Sequence, residues 1–183
     1  MERLNIHTKR LAIRDLELSD LSDFHNYRSN PEVVKYQGFD VMTIEQAEEF
    51  IKANSTMQFC KAGEWVQYGI ENIERGQLIG DCALKFDQHD TRIAEIGITI
   101  SHLEQRMGFA KEALLGILSF LFERRGIHRV VEFVDAENIA AINLLKSTGF
   151  RQEGHFIENI YFKGKWGSEF QYAMLKREWE MMK

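Results

Sequence analysis

The middle of the chain has strand-like hydrophobic spacing, and this constrains the fold more than any other feature. Apolar residues alternate with other residues in three consecutive segments, 66–70, 78–86 and 94–100. A two-residue period places the apolar side chains on one face of a half-buried strand. A turn centred on Gly76 separates the first two segments, so the pattern predicts a three-stranded antiparallel meander.

Helical spacing lies on both sides of this meander. Apolar residues recur every third position from 21 to 27, after Ser19 as a plausible N-cap, and Thr43 with Gln46 forms a capping box that opens a second helix. Residues 109–125 are apolar on nearly every side, which predicts a buried helix. Helical residues before and after a run of strands indicate an α+β fold.

The last third of the chain adds one helix and several strands. Residues 130–134 predict a strand buried on both faces, and a helix over 138–148 ends at Gly149, a natural C-cap. Further strands are expected at residues 8–14, 156–162 and 169–175. The sum is a mixed central sheet with helices on its faces, in one domain over residues 1–183.

Composition excludes several classes of protein. A net charge of -5 argues against general affinity for nucleic acid. Cys60 and Cys82 lie far apart without a C-x-x-C pair, so we expect neither a disulfide framework nor a metal site. The longest apolar stretch, 113–122, is about half of what a bilayer requires, and no apolar signal core opens the sequence. We expect a cytoplasmic protein without membrane contact.

The connection from the third meander strand into the long helix is the most informative stretch for function. A strand that runs into a helix N-terminus gathers unpaired backbone N–H groups at the positive end of the helix dipole, and such a place binds phosphate. Gly108 allows close approach of the backbone to an anion, and Arg106 adds charge. Taken alone, a single glycine here also fits an ordinary strand-to-helix turn.

This connection resembles the acetyl-CoA-binding motif of the GNAT superfamily of N-acetyltransferases. That motif is Gln/Arg-x-x-Gly-x-Gly/Ala between a strand and a helix, and here it reads Gln105-x-x-Gly108-x-Ala110. A second element of the family follows at the expected distance, a strand and then Asn138 with a helix that ends at Gly149.

The N-terminal region also resembles one branch of this superfamily, which contains the ribosomal-protein alanine N-acetyltransferases. The similarity lies in residues 8–14 (Thr-Lys-Arg-Leu-Ala-Ile-Arg) and residues 30–34 (Asn-Pro-Glu-Val-Val). The resemblance extends over residues 8–179, essentially the whole chain.

The resemblance implies a GNAT-type, mostly antiparallel sheet in which a splayed parallel strand pair forms the cleft for acetyl-CoA, the cosubstrate. In the family, the strand before the loop pairs with the pantetheine arm, the loop amides hold the pyrophosphate, and the later helix contacts the cofactor from the far side. A lysine on that helix is suggested for the 3'-phosphate by its charge alone. The implied cofactor-binding residues are Ile98, Thr99, Ile100, Gln105, Arg106, Met107, Gly108, Phe109, Ala110, Asn138, Asn143 and Lys146.

Acetyl transfer requires a positioned amine, a base that removes its proton, and N–H donors for the developing oxyanion. Glu95 is the candidate base, since alternation places it with Gly97 and Thr99 on the face opposite Ile96. Family members often carry an acidic residue on this strand. The alternative is a structural glutamate at a sheet edge, paired with an arginine, Arg92 or Arg129.

Two departures from the family concern the proton donor for the departing thiol. Many members place a tyrosine where this chain has Leu145, and some ribosomal-protein acetyltransferases place a serine where it has Ala141. Tyr161 or Tyr172 can substitute, although a tyrosine on a late strand is commonly a packing residue. The thiol of CoA, with a pKa near 8.5 by analogy with cysteine, can also leave unassisted, only more slowly. The missing donors keep open the alternative of a non-catalytic acyl-CoA-binding module.

Candidate residues for the acceptor pocket are Tyr36, Gln37 and Trp65, by analogy with relatives, and each can equally be a packing residue. The expected reaction is transfer of acetyl to a primary amine by direct attack on the thioester. A peptide N-terminus, a polyamine and an aminoglycoside-like molecule are the acceptor classes considered. No metal is required, and we expect a monomer or a homodimer.

Overall fold

An eight-stranded sheet forms the centre of the computed structural model, which describes residues 4–57, 59 and 61–183. Cys60 therefore lies outside the described residues. The strands are β1 (Ile6–His7), β2 (Leu11–Asp15), β3 (Trp65–Asn72), β4 (Gln77–Phe86), β5 (Ile93–Ile100), β6 (Arg129–Asp135), β7 (Arg151–Phe162) and β8 (Lys165–Leu175). Their order in the sheet is β1-β2-β3-β4-β5-β6-β8-β7. Among the strands formed by the described residues, only the β5–β6 pair is parallel, and all other neighbours are antiparallel.

Helices occupy both faces of the sheet. They are α1 (Leu21–Arg28), α2 (Pro31–Val34), α3 (Ile44–Ser55), α4 (Phe109–Ser119), α5 (Ile139–Ser147) and α6 (Lys176–Met181). The helix α3 begins with the predicted capping box, in which the Thr43 hydroxyl accepts from the Gln46 N–H and the Gln46 side chain accepts from the Thr43 N–H. The π-helical turn Phe120–Arg124 follows α4. In the described ranges no helix combines the length and apolar character needed to cross a bilayer.

Two apolar clusters attach the helices to the sheet. The larger cluster packs α4, α5 and α6 against one face, where Ala94 and Ile96 of β5 and Val130 of β6 are fully buried. The smaller cluster packs α1 and α3 against the opposite face, around Phe24 and Ile51. Because side chains alternate along a strand, residues 95, 97 and 99 of β5 lie on the α1/α3 face.

The α+β class, the three-stranded meander and the parallel strand pair are confirmed. The pairing of β3 with β4 and of β4 with β5 forms the meander, and a β-bulge shifts the register between Ile70 and Glu71. The strand expected at residues 8–14 corresponds to β2, and the short strand β1, which was not predicted, precedes it and pairs with it. The late hairpin strands begin earlier than alternation indicated, at Arg151 and Lys165.

Three local predictions were wrong. Ser19 is not the N-cap of α1; it lies within the 3-10 turn Leu18–Asp20, and Asp20 occupies the N-cap position. The α-helical part of the long helix ends at Ser119, because residues 120–124 adopt π-helical hydrogen bonding. Strand β6 is not buried on both faces, since Phe133 is 41% exposed. An apolar run of five residues did not distinguish full burial from partial burial.

Candidate active site

Strands β5 and β6 separate after a short parallel ladder. Only three residue pairs are in register, Ile93 with Arg129, Ala94 with Val130 and Glu95 with Val131. Beyond them β5 continues beside β4 alone, and β6 continues beside β8 alone. The edges that face each other across the resulting gap therefore have no strand partner. An extended ligand that contains amide groups can pair with such an edge as an added strand does.

The loop between β5 and α4 presents a group of unpaired backbone amides. Arg106 and Gly108 both adopt left-handed backbone conformations, with φ of 64° and 81°. Within the described residues, no backbone or side-chain group accepts a hydrogen bond from the amides of residues 105–111, and no side chain caps α4. Amides that alternate with left-handed residues form a concave anion site, and the α4 dipole adds positive potential.

Arg10 adds a cation to this loop, and the sequence reasoning gave it no role. Its Nη1 atom donates to the Met107 carbonyl at 3.1 Å, and its guanidinium lies 4.3 Å from the centre of the Phe109 ring. Its Nε atom donates to Glu112 Oε2 at 2.6 Å. A Cβ atom added at Gly108 would lie 3.5 Å from Arg10 Nη2. The loop motif could not reveal Arg10, because this residue lies about a hundred residues earlier in the sequence.

Glu95 lies on the α1/α3 face beside the point where the strands separate. Its Oε2 atom forms an ion pair with Lys85 Nζ of β4 at 2.6 Å. The alternative of a structural glutamate was wrong in two details. Neither Arg92 nor Arg129 is the partner of Glu95, because these arginines pair with other acidic residues. Strand β5 is also not a sheet edge, because it is an interior strand of the sheet.

An open space adjoins Glu95 on this face. Gly97 lies between Glu95 and Thr99, and a Cβ atom added there would meet no atom within 4 Å. Across the gap, Val131 and Phe133 of β6 lie on the same face as Glu95 by the parallel register. The space therefore has a carboxylate at one end, a threonine at the other and apolar side chains opposite.

The segment after α2 extends across this space. The Gln37 Nε2 atom donates to Thr99 Oγ1 of β5 at 2.6 Å, and the Tyr36 hydroxyl donates to the Glu137 carbonyl, just after β6, at 3.2 Å. Tyr36 and Gln37 thus connect the two sides of the gap. Trp65 lies further away on β3, where Lys85 Nζ sits 4.7 Å from its ring centre. Lys85 therefore lies between Trp65 and Glu95.

A buried polar network holds the segment after α2 in place through Gln37. Asp81 of β4 accepts from the Tyr27 hydroxyl at 2.6 Å, from Arg28 Nη2 at 2.5 Å, and from Gln67 Nε2. Arg28 Nη1 donates in turn to Gln37 Oε1 at 2.5 Å. Burial and the neighbouring Asp81 charge raise the pKa of Tyr27 well above its ordinary value. The sequence did not reveal these residues, because they are distant from one another and match no motif.

The helix α5 borders the gap on its β6 side. The Asn138 Oδ1 atom caps the helix by accepting from the Ala141 N–H at 3.2 Å, so its amide NH₂ is the group turned to other partners. Asn143 and Lys146 are exposed on the same helix. Leu145 is fully buried in the larger cluster. The structure thus brings the predicted loop and β5 residues together with Asn138 around one gap, whereas Lys146 lies in the last turn of α5.

Comparison with known proteins gives a consistent result. Residues 10–151 match the family model described as acetyltransferase (GNAT) domain. The uncharacterized N-acetyltransferase YnaD of Bacillus subtilis is 32% identical over 178 residues, which covers 96% of this chain and 99% of that protein. The spermidine N(1)-acetyltransferase of Vibrio cholerae is 28% identical over 85% of this chain and 87% of its own length. A crystal structure of a GNAT-family acetyltransferase from Bacillus anthracis has a TM-score of 0.86 at 26% identity, covering 95% and 99% of the two chains.

Proposed function

This chain belongs to the GNAT acetyltransferase family, and we propose that it acetylates a primary amine by direct attack on the thioester of acetyl-CoA. GNAT acetyltransferases use acetyl-CoA, which supplies an acyl group already activated for transfer. The observation that carries the proposal is the β5–β6 gap, which opens toward the unpaired amides of residues 105–111. A gap lined by strand edges and closed by an anion site suits a long ligand with amides in its arm and phosphates at its end.

The residues around the gap fit this ligand. The β5 edge at Ile98, Thr99 and Ile100 can pair with an amide-containing arm. The loop amides from Gln105 to Ala110, including Met107 and Phe109, can hold a pyrophosphate, with Arg10 and Arg106 supplying positive charge. Asn138, Asn143 and Lys146 lie on the β6 side, where they can contact the same ligand from the opposite direction.

The α1/α3 face of the gap suits the reacting amine. The open space at Gly97 gives room for the acceptor, and backbone N–H groups of residues 98–100 are candidate donors to the developing oxyanion. We assign Glu95 as the base that removes the amine proton, directly or through a water. Tyr36 and Gln37 would form the outer wall of the acceptor pocket. Trp65 would affect the acceptor pocket only indirectly, through its contact with Lys85, the ion-pair partner of Glu95.

An acceptor screen tests the reaction itself. Release of free thiol from acetyl-CoA would be followed with spermidine, an aminoglycoside and peptides with free N-termini. The polyamine comes first because the Vibrio cholerae relative is a spermidine acetyltransferase. We expect thiol release that depends on one of these amines, with the acetylated product identified by mass spectrometry. Binding of CoA without turnover on any amine would instead favour a non-catalytic acyl-CoA-binding role and would overturn the proposal.

Replacement of Glu95 tests the base. Glu95→Gln keeps the shape of the side chain and should lower kcat about 100-fold with little change in the Kd of CoA, because removal of a general base costs at least that factor. Glu64→Gln is the matched control, since Glu64 is an exposed ion-pair partner of Lys61 away from the gap. A rate for Glu95→Gln within twofold of the parent would show that Glu95 serves only as the ion-pair partner of Lys85.

A further inference from the structure

A second glutamate, Glu132, lies where β5 and β6 separate. The last parallel pair joins Glu95 to Val131, so Glu132 is the first β6 residue beyond the ladder. Residues two apart on a strand point to the same face, so Glu132 lies on the face of Val130 and Val134. Both valines are buried in the cluster shared with α4 and α5. Glu132 therefore lies on the α4/α5 face and Glu95 on the α1/α3 face. The two carboxyl groups flank the closed end of the gap from opposite sides.

The surroundings of Glu132 favour its protonated form. Among the described residues, none forms an ion pair or hydrogen bond with its carboxyl group. Burial, with a further contribution from the negative charge of Glu95, raises its pKa from 4.5 to about 8. Tyr172 faces it from β8, and α5 contributes the apolar Leu145 to the adjoining cluster. Near neutral pH, Glu132 therefore carries a proton that it can donate.

The other candidate proton donors are less well placed. The Tyr172 hydroxyl donates to Gln152 Oε1 of β7 at 3.3 Å, on the side of β8 away from the gap. Tyr161 is 63% exposed and packs against Trp166 near the end of the β7–β8 hairpin. Neither hydroxyl adjoins the point where β5 and β6 part, whereas the Glu132 position does.

We propose that Glu132 is the general acid that protonates the departing sulfur of CoA, a role that rests on the acetyl transfer proposed above. As the bond from the amine nitrogen to the acetyl carbon forms, Glu95 accepts the amine proton. As the carbon–sulfur bond breaks, the sulfur takes the bonding electron pair and receives the proton of Glu132. Both glutamates then return to their starting forms by exchange with water. Environments that separate the pKa values of two carboxyl groups are a recurrent basis for dividing acid and base roles.

Kinetic comparison of variants tests the assignment. Glu132→Gln should lower kcat about 100-fold while the KM of acetyl-CoA and the Kd of CoA stay within twofold. The parent kcat should fall above pH about 8 as Glu132 loses its proton, and this fall should be absent in Glu132→Gln. Glu132→Asp retains an acid and should recover part of the rate. Glu64→Gln again serves as the control.

A second measurement does not depend on catalysis. Because the folded-state pKa of Glu132 is raised, the folded protein binds more protons than the unfolded chain between pH 4.5 and about 8. This group therefore makes the parent less stable as pH rises through that window. Glu132→Gln lacks this ionisation. The Tm of the variant minus the Tm of the parent, both measured without ligand, should therefore increase from pH 5 to pH 8.5.

The outcomes separate this inference from the proposed reaction. If the parent acetylates an amine while Glu132→Gln keeps its rate and its high-pH fall, the acid role is wrong and the reaction stands. If the two Tm curves run parallel from pH 5 to pH 8.5, the carboxyl group is ionised in the folded protein and the inference also fails. If the parent acetylates no amine, the proposed function fails first.

Discussion

Replacement of Asp81 by Asn should destabilise the protein more than most single substitutions. The Asp81 side chain is fully buried, and that of its partner Arg28 is 1% exposed. Asparagine preserves the size of the side chain and one acceptor oxygen, but it removes the negative charge. Arg28 is then left as a buried cation, because its other side-chain partner, Gln37, carries no charge. The substitution therefore isolates the charge from the packing.

The magnitude follows from the burial of this pair. Removal of one partner from a buried ion pair costs about 3–5 kcal/mol, because the remaining charge stays desolvated without compensation. Conversion of both residues to apolar ones, Arg28→Met with Asp81→Leu, removes both charges. This double variant should recover only part of the loss, because the Tyr27 hydroxyl and Gln67 then lose their acceptor. An exposed pair gives the contrast. Lys52 and Glu48 on α3 are 56% and 41% exposed, and Glu48→Gln should change stability by less than about 0.5 kcal/mol.

Urea unfolding monitored by circular dichroism gives the free energy of unfolding for all four proteins. A loss of less than about 1 kcal/mol in Asp81→Asn would refute the claim that Arg28 is held by this charge. Enzyme kinetics and CoA binding provide a second test. Arg28 orients Gln37, and Gln37 donates to Thr99, so the variant should raise the KM of the amine. The Kd of CoA should change little, since the amides of residues 105–111 lie outside the network.

Two pairs of glycine substitutions test other parts of the structure. Gly108→Val should weaken CoA binding, measured by calorimetry, about 30-fold, or about 2 kcal/mol. The control Gly126→Val introduces similar backbone strain, at φ of 67°, and should leave the affinity for CoA unchanged. Equal losses of affinity in both variants would indicate general unfolding. Gly80→Ala should cost about 3 kcal/mol in urea unfolding, because its Cβ would lie 2.3 Å from the Thr99 carbonyl oxygen. Gly97→Ala meets no atom within 4 Å and should cost much less, and equal stability of these two variants would contradict the close approach of β4 and β5.

The sequence predicted the elements whose signals are local. Alternation located the meander, and the Thr43 capping box placed the start of α3. Strand β6 was harder, because the sequence Val-Val-Glu-Phe-Val contains a partly buried acid and an exposed phenylalanine in an otherwise apolar run. The resemblance of the loop at residues 105–110 placed the candidate cofactor site where the structure has its unpaired amides.

The parts of the site that escaped the sequence depend on tertiary contacts. Arg10 reaches the loop only because β2 and α4 are brought together, with Glu112 accepting from its backbone and side chain. The partner of Glu95 is Lys85, because the register of β4 against β5 places these two residues opposite each other. The sequence did not single out Glu132, because the unusual environment of a glutamate in a short apolar strand becomes visible only when its spatial neighbours are known.

The position of the site follows from the one parallel pair in the sheet. Parallel neighbours need a crossover, and α4 supplies it between β5 and β6. Each of these strands is followed by a helix, so α4 begins beyond the carboxyl end of β5 and α5 begins beyond that of β6. Because the ladder covers only the amino-terminal end of β5, the gap opens at the end where both helices start. Two positive helix ends therefore flank the open end of the gap, where an anionic ligand is best stabilised, and the two glutamates flank the closed end, where we propose that proton transfer takes place.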